Sequence, residues 1–369
     1  MRKVSVVGGG NAGVFTALYF GWYGQDEVEL IYNPEIPPER VGQATLLDPP
    51  RMLWNATGFD WYHNQINATF KSGILYEGWG QVNDKVFHAF PADGMAMHYC
   101  PWEMQKHVLD SGVFKVVEGD VDDINSIDSD LIFDCRGKPD DYSEYEELIN
   151  PVNACILGKP KWNVSEAFWS RHVATPDGWT FVIPMHSTSP SHKESVGYIY
   201  NNQITKTEDA EKNFQEFFEV EVTRHLTFDS YVAREPVIDD RIFLQGNKLF
   251  FLEPLESTAT EAYLHWSKET LCAIMNGTIH DLSKSIKKYI RRIQNFILWH
   301  YQFGSRYDTP FWDYAQSLIS TDETFNKFLD ASINMSWDKA VTIDDIGYAQ
   351  WPPSSFKYWH EGMTLYKGE

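Results

Sequence analysis

Positive charge is scarce in this chain: 31 lysines and arginines stand against 52 aspartates and glutamates, a formal charge of −21. A surface of that sign repels phosphate backbones and anionic lipid headgroups, which argues against nucleic-acid or membrane-surface binding as the main task. Long apolar runs are missing too, and nothing approaches the roughly 18 residues that a membrane span requires. The apolar stretch at the start is too short for a secretory signal and breaks at once into glycines, so a cytoplasmic location is expected. Cysteine is sparse. Cys100, Cys135, Cys155 and Cys272 contain no Cys-x-x-Cys, so neither a disulfide framework nor a zinc ribbon is implied. Internal repeats and low-complexity tracts are likewise absent.

What remains is an enzyme-sized globular chain of 369 residues, 43% hydrophobic and 22% charged, long enough for one large domain or two joined ones. Phe, Tyr and Trp make up 15%, a surplus that suits either a pocket for a flat ligand or core filling.

The first 32 residues carry a pattern. The apolar run Lys3–Val7 leads into Gly8-Gly9-Gly10-Asn11-Ala12-Gly13, then helical spacing over Val14–Tyr23, then a second apolar run, Val28–Tyr32. Strand, glycine turn, helix, strand is the context in which Gly-x-Gly-x-x-Gly binds a dinucleotide: glycines admit the pyrophosphate and the helix start supplies a positive dipole end. Asp130–Asp134 with Cys135-Arg136-Gly137 reads as another short buried strand ending in a turn, and Gly178–Pro184 and Val196–Tyr200 as strands of a second sheet. Ala262–Met275 and Ser283–His300 carry helical spacing. In the latter Ile286, Tyr289, Ile290, Ile293, Phe296 and Ile297 share one face, opposite a basic stretch read as solvated. Glu256-Ser257-Thr258, just ahead of the first of these helices, is also a candidate N-cap.

Four further segments follow the glycine turn in order: Gly42-Gln43-Ala44-Thr45, Ala68-Thr69-Phe70-Lys71-Ser72-Gly73-Ile74, Gly178-Trp179-Thr180-Phe181-Val182-Ile183-Pro184 and Glu253-Pro254-Leu255-Glu256-Ser257-Thr258. With Gly197-Tyr198-Ile199-Tyr200 and Asp308-Thr309-Pro310-Phe311-Trp312, the chain resembles the flavin-dependent halogenases of the tryptophan-halogenase type over roughly residues 1–315.

The resemblance implies an α/β fold of the glutathione-reductase-like, monooxygenase-like FAD class with a substrate β-sheet. It implies an FAD-binding part over residues 1–260, with the substrate sheet interleaved at about 150–235, and a mainly helical part over 261–369 that closes the pocket. It implies that reduced FAD from a separate reductase, with dioxygen, oxidises halide to hypohalous acid, which then halogenates an electron-rich aromatic such as an indole or phenol. Lys71 matches the family's essential lysine, which polarises or captures the electrophile, and Glu256 its active-site glutamate. The cofactor would be held by Gly8, Gly10, Asn11, Ala12, Gly13, Val41, Gly42, Ala44, Thr45, Val121, Asn247 and Thr260. Halide (chloride, bromide or iodide) would sit at the amides of Thr258 and Ala259, and His88, Phe90, Trp179, Phe181 and Trp312 would form the substrate pocket.

Some positions depart from the family pattern. Phe181 replaces the second tryptophan of Gly-Trp-x-Trp-x-Ile-Pro, Ala259 stands in place of a glycine, and Gln43 in place of a strap glutamate. Tyr32 or Asn33 stands where a carboxylate usually holds the ribose, which predicts weaker flavin binding. A chain shorter than its family predicts a more open pocket. Phe181 keeps an aromatic FAD monooxygenase as the alternative, and an inactive flavin-binding protein is a second. Exposed aromatics leave room for a homo-oligomer.

Overall fold

The computed structural model describes residues 1–24, 26–90, 94, 96–164, 167–342 and 348–365. At its centre the strand Lys3–Val7 lies between Glu27–Tyr32 and Leu131–Asp134, parallel to both. Lys115–Glu118 and Ile242–Leu244 extend this sheet in parallel on its two sides, and Val237–Ile238 closes one edge antiparallel. Valines and isoleucines, whose branched side chains suit a sheet covered on both faces, dominate the inner strands. Val4, Val6, Leu30, Ile132 and Phe133 are fully buried. The first helix, Asn11–Tyr19, begins earlier than the sequence pattern suggested and continues as a wider turn over Phe20–Gly24.

A second sheet of seven strands runs in the order Val220–Thr227, Ala154–Pro160, Val196–Tyr200, Gly178–Val182, Ser170–Thr175, Gly73–Glu77, Lys85–Ala89. Its last two strands come from the segment that carries Lys71, His88 and Phe90. The strand Thr69–Lys71 itself pairs antiparallel with Ala96–Tyr99, which also holds Gln43–Ala44. The strap around Gly42 and the lysine segment therefore meet on one strand of a small third sheet.

From residue 259 onward the described chain is mainly helical. Leu282–Gln302 buries all six apolar residues of its predicted face. Its basic side is not wholly solvated: Lys287 and Arg291 pair with Glu146, and Arg292 lies over the Tyr348 ring. Among the described residues no helix is long and apolar enough to cross a membrane.

Candidate active site

The turn after the first strand is built for close approach of backbone. Gly8 has φ +118°, and a Cβ there would lie 2.4 Å from the Cys135 carbonyl oxygen. A Cβ on Gly13 would lie 1.8 Å from the Gly8 carbonyl oxygen, so the helix packs onto the strand only through glycine. Gly10, by contrast, faces open space, and no side chain caps the helix behind it. The buried Asn11 Oδ1 has no hydrogen-bond partner among the described residues, while Asn11 Nδ2 reaches Gln43 Oε1 of the strap at 3.5 Å. A helix start whose amides have no side-chain acceptor among the described residues fits the pyrophosphate of FAD.

Ala12 abuts Gly246, and Asn247 follows, its carbonyl accepting from Tyr231 and its side chain from Tyr263. In the strap, Val41 is half-buried against the core, Gly42 lies against Met185, Ala44 pairs with His98, and Thr45 exchanges hydrogen bonds with Met97. Val121 packs with Val7 and Ile132. Thr260 is buried, its hydroxyl without a partner among the described residues. At the end of the second strand Asn33 donates to both oxygens of Asp120 at 2.9 Å. A carboxylate thus reaches this point from another loop.

Lys71 is fully buried at the end of its strand. Its ammonium donates to the Thr45 carbonyl at 3.1 Å and to Ser257 Oγ at 2.9 Å, and lies 5.0 Å from the centre of the Phe90 ring. Burial lowers its pKa to about 7, the nearby Glu256 charge opposing the shift.

Glu256 is also fully buried, on a backbone with φ +69° followed by Ser257 at φ +58°. Two consecutive non-glycine residues in the left-handed region are costly, and such strain collects where side chains must be aimed. The N-cap expectation holds in position only: Thr258 occupies the cap of Ala259–Asn276, but among the described residues no side chain bonds to that helix start. Glu256 turns instead into a ring of donors. Tyr76 gives Oε1 a short hydrogen bond, and His88 Nδ1 and His300 Nε2 stand 3.2 and 3.1 Å from the same oxygen. Trp351 Nε1 donates to Oε2 at 3.2 Å. Burial alone would push this carboxyl up, but His88 and His300 outweigh it and hold the group well below the usual carboxylate range.

Aromatic rings close the surroundings. Trp351 packs 3.9 Å from Phe296, and Trp359 lies 4.2 Å from His300 and 4.4 Å from Tyr76. Among the described residues, Trp351 and Trp359 of the C-terminal part thus stand around Glu256 and its donors. On the other side, Trp179 and Phe181 share one strand face, and Trp179 lies 4.6 Å from His172. Trp179 donates to Glu253 Oε2 at 3.0 Å, as does the Tyr301 hydroxyl at 2.7 Å. Glu253 Oε1 is buried without a partner, and burial raises the pKa of this group to about 7, against the two donors. Trp312 donates to the Thr175 carbonyl and packs on Trp79 and Tyr301, one layer behind Tyr76. Its described ring and hydrogen-bond contacts run to that layer, none to Lys71 or Glu256.

Sequence reading thus named Lys71, Glu256, His88 and Phe90, which the fold gathers. It missed Tyr76, His300, Trp351 and Trp359, which complete the enclosure of Glu256. Only the aromatic surplus hinted at them.

A glycine-turn α/β sheet accompanied by a second sheet, with a buried lysine and carboxylate close together, is the arrangement of a flavoenzyme scaffold. The tryptophan halogenase family model matches residues 3–112 and 115–341, and the chain belongs to that family of flavin-dependent halogenating enzymes. The tryptophan 7-halogenase of Lentzea aerocolonigenes is 21% identical over 87% of this chain and 80% of its own length. The tryptophan 6-halogenase of Streptomyces albogriseolus is 19% identical over 98% of this chain and 88% of its own. Among solved structures, a lanthipeptide tryptophan 5-halogenase superposes with a TM-score of 0.80 at 18% identity, over 99% of this chain and 86% of that one. A flavin-dependent halogenase from Xanthomonas campestris gives 0.76 at 18% identity, over 99% and 89%.

Proposed function

We propose that this protein halogenates an electron-rich aromatic ring, an indole or a phenol, using halide as co-substrate and reduced FAD delivered by a separate reductase. The observation that carries this reading is the buried amine of Lys71, tethered by Ser257 beside Glu256 and against the Phe90 ring. Reduced FAD, when bound, would activate dioxygen, and dioxygen is the oxidant that turns halide into hypohalous acid. The residues of this chain then hold and direct that electrophile.

With a pKa near 7, Lys71 is present in both forms at neutral pH. The ammonium donates a hydrogen bond to the hypohalous oxygen and polarises it; the neutral amine instead takes the halogen, an N–halogen bond forming as the halogen–oxygen bond breaks and the oxygen leaving as water with one amine proton. Glu256 stabilises the ring cation formed on attack and receives the ring proton. Its Oε2 has one described donor, Trp351, and so keeps a lone pair for that proton. The amides of Thr258 and Ala259, at an uncapped helix start, suit a halide ion. Asn11 and the glycine turn hold the pyrophosphate. Trp179 and Phe181 form the apolar wall that keeps oxygen chemistry on the flavin side. His88 and Phe90 border the substrate ring.

An indole and phenol panel incubated with FAD, a reductase and chloride, bromide or iodide, followed by mass spectrometry, tests the reading. Halogenated product that requires halide supports it. An oxygenated product formed equally without halide would establish the monooxygenase alternative instead.

A further inference from the structure

His300 sits on the helix Leu282–Gln302 with no exposed surface, and both of its ring nitrogens have acceptors. Nδ1 stands 2.7 Å from the Phe296 carbonyl, which can only accept, so Nδ1 carries hydrogen. Nε2 stands 3.1 Å from Glu256 Oε1. A neutral imidazole protonated at Nδ1 would point a lone pair at a carboxylate oxygen, and that contact is repulsive. A proton must lie between the two groups. Oε1 also accepts from Tyr76 and His88, which a protonated oxygen would do poorly, so the carboxylate is the anion and the proton belongs to His300.

We propose that His300 is held as an imidazolium by the Phe296 carbonyl and the Glu256 carboxylate, and that its charge, by balancing Glu256, frees the Lys71 amine to lose its proton. A buried carboxylate alone beside a buried lysine would keep the lysine charged; a neutralised carboxylate leaves burial to decide. From the strand Lys85–Ala89, His88 faces the same oxygen of Glu256 and also helps hold the carboxylate as the anion. His98 and His172 are held neutral by burial first and by the Lys71 charge second, and Tyr76 stays protonated. His300 is then a positioning residue for the protonation state of Lys71. The second half of the proposal rests on Lys71 handling the electrophile; the first half does not.

The test is nitrogen NMR of protein labelled at histidine ring nitrogens and lysine Nζ, without flavin or halide, so its outcome is independent of whether the chain halogenates anything. At pH 8 one histidine, the signal missing in His300→Gln, is expected to carry protons on both nitrogens and to lose one of them in Glu256→Gln. A singly protonated His300 at pH 8 in the unaltered protein overturns the proposal. In His300→Gln, where the amide keeps a donor on Glu256, the Lys71 titration is expected to move up by about one unit, a tenfold smaller amine fraction above neutrality. An unmoved Lys71 titration refutes the coupling. Should His300→Gln not fold, the Glu256→Gln spectrum still decides the imidazolium.

Discussion

Replacing Lys71 by methionine should abolish halogenation and yet make the protein more stable at neutral pH. In the unfolded chain lysine titrates at its ordinary value of 10.5, and in the folded one at about 7. The folded state therefore binds fewer protons between these values, and stability rises with pH across that window. At pH 7 the cost of holding Lys71 in its buried site is on the order of 4 kcal/mol, and at pH 9.5 about 1 kcal/mol. Methionine fills a similar volume without this cost but loses the hydrogen bonds to Thr45 and Ser257, worth about 1 kcal/mol each. The variant should thus be about 2 kcal/mol more stable at pH 7 and about 1 kcal/mol less stable at pH 9.5. Urea unfolding at the two pH values reads this directly. A loss of stability of equal size at both would show that the lysine titrates normally, and the reasoning on the site's electrostatics would fall with it.

Other sites give predictions of the same kind. Glu253→Gln keeps an acceptor for Trp179 and Tyr301 while removing a carboxyl whose raised pKa, about 7, costs stability as pH climbs from 4.5 through 7. It should be near neutral at pH 5 and stabilising by about 2–3 kcal/mol at pH 8, measured by the same unfolding series. Trp351→Ala removes a buried ring from Phe296 and a donor from Glu256, and should cost about 3–5 kcal/mol in denaturant unfolding. Gly13→Ala places a methyl group against the Gly8 carbonyl and should weaken FAD binding more than tenfold in a flavin fluorescence titration.

Much of the molecule was legible in the sequence because its signals are local. The glycine turn announces itself within six residues, and the apolar face of Leu282–Gln302 follows from its spacing alone. Lys71 and Glu256 were legible only as members of motifs, and their neighbours were not legible at all. Tyr76 lies 180 positions from Glu256, Trp351 lies 95, and His300 lies 44, on a strand, a C-terminal turn and a helix with no shared local pattern. Each reads singly as an ordinary core residue. The cap assigned to Glu256-Ser257-Thr258 was right in position at Thr258, but the two left-handed residues ahead of it are a tertiary outcome that propensity does not foresee. Likewise, the Asp120 carboxylate that meets Asn33 at the end of the second strand lies 87 positions away, where no local pattern points to it.

The decisive experiment compares halogenated ring product formed per reduced FAD consumed in the unaltered protein and in Lys71→Ala, with free hypohalous acid trapped in parallel. Lys71→Ala is expected to consume reduced FAD at an ordinary rate and release trappable oxidant while ring product vanishes. Undiminished ring product in Lys71→Ala would contradict the assignment of Lys71 as the residue that directs the electrophile.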